Sequence, residues 1–255
     1  MEEIATWLGQ QGMNWELASE AARYMAGGLA MGLGAIGAGV GEGYNAGEAL
    51  DSMTRQPGAQ SNLLRSMLVG QAIAETAGIF ALVIAFILLF GETAPGPEMS
   101  AALLGSGLAM GLGSIGSGVG CGIAGGRTAS SIGRNPESGG KALLSMLLGQ
   151  GLSTTPAVFA LVIAVLLAFS QQLGMYTGYE VVPATTALAA GLCIGAGAIG
   201  PGLGIGFAAG GACDGVGRQP TESQALNRVM LIGGAVASST ATYAFVIACV
   251  LMFFV

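Results

Sequence analysis

Histidine is absent from this 255-residue chain, and lysine and arginine together number only eight. Without imidazole, the commonest acid-base group and metal ligand is missing, and no catalytic constellation is visible. Charged residues make up 9% of the sequence, too few to coat a soluble domain. The four cysteines, Cys121, Cys193, Cys213 and Cys249, fall inside apolar runs without metal-ligand spacing; they read as small packing residues. The apolar/polar alternation of barrel strands is missing too. With a net charge of −6, no nucleic-acid partner is expected.

What the chain has is apolar length. Six runs, roughly 20–51, 62–90, 99–130, 140–170, 183–214 and 226–255, each exceed the ~20 residues needed to cross a bilayer core. The expected fold is an all-α membrane protein whose six transmembrane helices form three tandem helical hairpins, at 20–91, 98–170 and 183–255. A polar N-terminal segment, 1–19, carries Trp7 and Trp15 and reads as interfacial: it is acidic where a cleavable signal is basic. Glycine, 46 residues, would weaken soluble helices but lets membrane helices approach closely.

The hairpins are repeats. The stretches 28–43, 107–122 and 191–206 are variants of one glycine-rich string, and each runs into a basic turn: Arg55-Gln56-Pro57, Arg134-Asn135-Pro136 or Arg218-Gln219-Pro220. Seven of the eight basic residues flank these turns and only Arg23 lies elsewhere, so the turns are expected on the cytoplasmic side and both termini opposite. The links 92–97 and 171–182 are short, placing the hairpins side by side. The string Gly32-Leu33-Gly34-Ala35-Ile36-Gly37 formally matches a dinucleotide fingerprint. It lies within an apolar helix and recurs three times, whereas the fingerprint needs a strand-to-helix turn, so the match is discounted.

Glu75 sits in Gly70-Gln71-Ala72-Ile73-Ala74-Glu75-Thr76, in a helix otherwise uncharged from Met67 to Phe90. A carboxylate at membrane depth costs about 3 kcal/mol on insertion scales, so it must be protonated, paired or bound to a cation. Glu42, on the partner helix, comes to nearly the same depth when the hairpin folds. Two like charges that close cannot both ionise freely, so they share a proton or are neutralised by a cation. The repeat offsets of 79 and 84 turn Glu75 into Thr154 and Ser238, and Glu42 into Cys121 and Ile205. One two-carboxylate site per chain follows.

The glycine-rich helix, the Arg-Gln-Pro turn and the string GQAIAET resemble the c subunit, or proteolipid, of rotary ATP synthases and ATPases of the F and V types. The resemblance covers nearly everything beyond the first ~20 residues and implies a rotor subunit that is not itself catalytic. It implies a ring of hairpins, glycine-rich helices inside and acid-bearing helices outside. Ions ride on the glutamate, exchange at a stationary a-type subunit, and turn the ring against a central stalk that touches the polar turns. Other proteolipids mixed into the ring are a further implied possibility. Three hairpins per chain is an uncommon variant, and the two missing acids depart from the family pattern.

Sodium-binding members accompany the acid with a first-helix glutamine, a carbonyl two residues before it, a hydroxyl one residue after it, and a tyrosine five residues after it. Here these positions are Glu42, Ile73, Thr76 and Phe80; hairpin 3 offers Ser239 and Tyr243, hairpin 2 Thr155 and Phe159. Family sites lie between adjacent hairpins, so a neighbour can complete this one. Hard oxygen ligands favour sodium, at Glu75 and Glu42, over a proton as the transported ion; no cofactor is expected. The alternative reading, a secondary transporter built from internal repeats, lacks the broken helices and larger polar set such folds use. A purely structural scaffold would leave the retained acid pair unexplained.

Overall fold

The computed structural model describes residues 14–92, 95–170 and 181–254. Among these residues seven α-helices follow one another: α1 (Trp15–Arg55), α2 (Gln60–Phe90), α3 (Pro97–Arg134), α4 (Gly139–Ser153), α5 (Thr155–Ala168), α6 (Val181–Arg218) and α7 (Ser223–Phe253). They supply six spans long and apolar enough to cross a membrane, paired as three hairpins. Asn14 caps α1 through its side chain, accepting from the Glu16 and Leu17 amides at 3.0 and 3.4 Å. The helix thus starts inside the stretch 1–19; residues 1–13, Trp7 among them, and most of the link 171–182 lie outside the described residues.

The three basic turns are built alike. The first helix closes with a bond from the Gln56, Asn135 or Gln219 amide to the carbonyl of Ser52, Ser131 or Gly215, at 2.8 to 2.9 Å. Proline then opens a single 3-10 turn, Pro57–Ala59, Pro136–Ser138 or Pro220–Glu222, where its missing N–H is not needed. At the opposite end, Arg23 donates to the Gly91 carbonyl at 2.7 Å and Ser19 accepts from the Gly96 amide at 3.1 Å. These bonds hold the link between hairpins 1 and 2 against the start of α1.

The glycine-rich helices α1, α3 and α6 stand in contact, with α3 between the other two and the most buried of the six spans. Their backbones touch: Gly37 and Gly41 of α1 meet Gly118 and Gly122 of α3, and Gly116 and Gly120 of α3 meet Gly202 and Gly206 of α6. A methyl group at any of these positions would run into the facing backbone, which is why only glycine serves. The second helices form an outer layer, α2 packing on both α1 and α3, and α4 with α5 on both α3 and α6. Larger apolar side chains, including Ile84, Leu88, Leu103, Met110, Ile163 and Leu167, fill the space between the layers.

The fourth span is a single apolar run in sequence but two helices in space, so the expectation of unbroken spans does not hold here. α4 ends at Ser153 and α5 begins at Thr155, leaving Thr154 as the break. Pro156 is the cause: it has no N–H to give the Leu152 carbonyl, and its ring crowds the preceding turn. The chain still continues through this point, with Thr154 N to Gln150 O at 3.0 Å and Val158 N to Thr154 O at 3.2 Å.

Candidate ion-binding site

Glu75 stands on the exposed surface of α2, and Glu42 is half-buried on α1. The hairpin sets the two acids at similar depth on facing helices. Gln71, one turn before Glu75, donates through its Nε2 to the Glu42 backbone carbonyl at 3.2 Å. It ties the two acid-bearing helices together at this level. Its counterpart Gln150 is fully buried, makes the same bond to the Cys121 carbonyl at 2.8 Å, and adds one to Gly70 of hairpin 1 at 3.0 Å. Sequence reasoning singles out neither glutamine. Their shared repeat position, and their absence from hairpin 3 where Gly234 stands, is the available signal.

Each second helix has two flanks, one toward the preceding hairpin and one toward the following one, and contacts inside the chain identify them. Gln150, the counterpart of Gln71, touches Gly70 of the preceding hairpin. Phe245, the counterpart of Leu82, packs tilted against Phe159 of the preceding hairpin, ring centroids 5.3 Å apart. At 100° per residue, Gln71, Glu75 and Leu82 lie within about 40° of one another on a helix. Glu75 therefore occupies the backward flank of hairpin 1, where this chain has no neighbour.

The companions expected for it separate by the same rule. Ile73, Thr76 and Phe80 lie on the forward flank of α2, toward hairpin 2, and Phe80 packs into the main apolar cluster. Thr76 bonds to the Ala72 carbonyl at 3.3 Å. Thr155 is half-buried beside Phe159, on the flank turned to hairpin 3. Ser239 and Tyr243 occupy the corresponding flank of α7, which is open: Tyr243 is 66% exposed, and Ser239 bonds only locally, to Val236 O at 2.8 Å. Within one chain, Ser239 and Tyr243 are thus at the far end from Glu75, two hairpins away.

The counterpart sites are closed. Cys121 and Ile205, at the positions of Glu42, are fully buried. Ser153, one residue before Thr154, is buried and donates to the Gly202 carbonyl at 3.0 Å, filling the space between hairpins 2 and 3. No group of three or more His, Cys, Asp or Glu that could hold a polyvalent metal occurs among the described residues.

Comparison with known proteins agrees with this architecture. The pattern of the ATP synthase c-subunit family matches three times, at residues 25–88, 104–167 and 188–251. The chain is similar to the ATP synthase c subunit of Natranaerobius thermophilus, 53% identical over 72 residues covering 28% of this chain and 83% of that protein. It is similar to the ATP synthase c subunit of Alkaliphilus oremlandii, again 53% identical over 72 residues, 28% of this chain and 81% of that protein. With the ATP synthase c subunit of Thermotoga petrophila the identity is 48% over 67 residues, 26% of this chain and 79% of that protein.

Proposed function

Since the chain belongs to the ATP synthase c-subunit family and carries three copies of its domain, we propose that it closes with copies of itself into a rotor ring that carries sodium on Glu75. The observation that supports the ring is a set of empty glycines. Among the described residues, Gly28, Gly32, Gly39, Gly43 and Gly47 of α1 have nothing against them, whereas their ten counterparts in α3 and α6 are all pressed against the preceding first helix. On the other end of the chain, Gly200 is open where its counterparts Gly37 and Gly116 are packed. The two free faces are the two halves of one contact already made twice, so the contact is head to tail and repeats until it closes.

Head-to-tail closure brings the forward flank of α7 to the backward flank of α2 in the next copy. Ser239 and Tyr243 then face Glu75, while Thr155 remains beside the acid-free site of hairpin 3. The cation is held by the Glu75 carboxylate, with Glu42 protonated: two full negative charges would leave one monovalent ion half-compensated in lipid. Oxygen ligands from Glu42 and from the Ser239 and Tyr243 hydroxyls of the neighbouring copy complete it, and a proton is the alternative cargo; Ile73 and Thr76, on the forward flank of α2, lie away from this ion. In the machine the family name implies, a stationary a-type subunit exchanges the ion. The turns at Arg55, Arg134 and Arg218, on the cytoplasmic side, bear on the central stalk.

The test uses the purified chain in lipid vesicles. A carbodiimide, which attacks protonated carboxyls, is expected to label Glu75, and sodium is expected to protect it. Because sodium takes the deprotonated form, the label should disappear at lower pH with sodium than without. Labelling that ignores saturating sodium assigns the proton as cargo; particles that never close into rings when imaged overturn the rotor reading.

A further inference from the structure

Near the basic turns the three copies stop being alike. Asp51, Ser130 and Asp214 share one repeat position, and Arg55, Arg134 and Arg218 another. Where hairpin 2 meets hairpin 3, Arg134 and Arg127 both reach Asp214, the latter at 3.4 Å, and the carboxylate is only 18% exposed. Where hairpin 1 meets hairpin 2 the acid is missing: Ser130 donates instead to Glu48, and Arg55 turns back onto Asp51 of its own helix. Asp51, 58% exposed, is held only by that bond within its own helix, and Arg218 is exposed and outside every ion pair among the described residues. They stand where Asp214 and Arg134 stand, on the two faces that lack a neighbour.

A steric exchange accompanies the charges. Ser52 packs onto Gly133, and Ser131 onto Gly217: the earlier hairpin brings a side chain and the later one a glycine. At the open ends the roles are reversed, since the counterpart of Ser52 and Ser131 is Gly215, and that of Gly133 and Gly217 is Thr54. Every junction therefore pairs one side chain with one glycine. Phe207, 66% exposed, is the counterpart of Tyr44 and Ile123, which cover Gly126 and Gly210; the glycine left for it is the open Gly47.

We propose that these residues form a key for the contact between copies, in which Arg218 of one copy pairs with Asp51 of the next, Thr54 meets Gly215, which Leu226 of its own hairpin flanks, and Phe207 covers Gly47. The inference rests on the head-to-tail assembly proposed above and names what makes it selective. Hairpin 3 set against hairpin 2 of another copy would leave Arg218 facing the uncharged Ser130. Hairpin 1 or 2 set against hairpin 1 would force Ser52 or Ser131 into Thr54. Only hairpin 3 against hairpin 1 satisfies both charge and volume, so the two faces a packed chain leaves open are matched to each other.

Full-length chain carrying Asp51→Cys with Arg218→Cys, assembled in lipid and treated with a short bifunctional thiol reagent, is expected to give a ladder of covalent multimers. Asp214→Cys with Arg134→Cys should link within one chain and give no ladder; the native cysteines, present in both, serve as the shared background. Arg218→Glu places two acids together and is expected to lower the yield of closed rings about tenfold. Adding Asp51→Lys should recover most of it. Wild-type rings without the 51/218 ladder, or a double variant no better than Arg218→Glu, overturn the key while leaving the ring intact. A wild-type chain that stays monomeric in lipid overturns the ring and the key together.

Discussion

Hairpin 1 and hairpin 2 share backbone, turn chemistry and the interhelical glutamine, yet only hairpin 1 keeps its carboxylates. In hairpin 1 the acid position is exposed on a flank with no neighbour; in hairpin 2 the same position is Thr154, at a helix break beside Pro156, with Cys121 sealed behind it. The difference shows that the scaffold does not depend on the acids. Glycine seams and apolar fill hold all three hairpins, and the charge sits at the one place where the chain leaves a junction unfilled.

The largest expected effect breaks that contrast. Glu75→Gln makes hairpin 1 as uncharged at this position as hairpin 2, and is expected to abolish ion transport while rings still form, measured as ion flux and ring yield from one preparation. Glu42→Gln removes the second acid, the one assigned the proton, and should retain ion binding with a modest change in affinity or pH dependence. Loss as complete as with Glu75→Gln would assign the charge to both carboxylates.

Stoichiometry sharpens the comparison next. With one acid per three hairpins, a ring of this chain moves one third as many ions per turn as an equal ring with an acid in every hairpin. Each charge crossing 100 mV delivers about 2.3 kcal/mol, so equal work of ATP synthesis would need three times the driving force. The machine is therefore expected to run as an ATP-consuming pump that builds a steep gradient, checked by the ion-to-ATP ratio in vesicles. A ratio matching one acid per hairpin would overturn this.

Smaller effects separate the boundary between copies from the junctions inside a chain. Ser239→Ala and Tyr243→Phe should each weaken ion affinity several-fold, by about 1 kcal/mol per lost ligand hydrogen bond, while Thr155→Ala changes it little; isothermal titration or label protection reads the ranking. The reverse order would put the site between hairpins 1 and 2. Gln150→Leu removes donors to Gly70 and Cys121 and, at about 0.6 kcal/mol for each bond, should lower stability by roughly 1 kcal/mol, leaving ion binding unchanged.

Much of this architecture is legible because the repeats align without gaps: six spans, three hairpins and the single acid pair follow from periodicity and offsets alone. The helix break at Thr154 is harder to read, although Pro156 is in plain view, because an apolar run looks the same whether or not one carbonyl loses its partner. The flanks are hidden as well. Spacing brings Glu42 and Glu75 to one depth, but which side of α2 meets hairpin 2 depends on how the hairpins wind around one another. That handedness becomes visible only through contacts such as Gln150 with Gly70 and Phe159 with Phe245. Gln71 escapes notice because an amide inside a membrane helix carries no charge to mark it, and its partner is a backbone carbonyl.

The short link from Gly91 to Pro97, held by Arg23 and Ser19, has a consequence for how such a ring is made. Tethering converts the meeting of neighbouring hairpins from a two-dimensional search in the bilayer into an intramolecular event at high effective concentration. Two of every three contacts around the circle are then secured as the polypeptide is inserted, and one in three is left to diffusion. The circumference can also grow only in steps of three hairpins, so a ring of this chain alone has a hairpin number divisible by three, whatever curvature the individual contacts prefer.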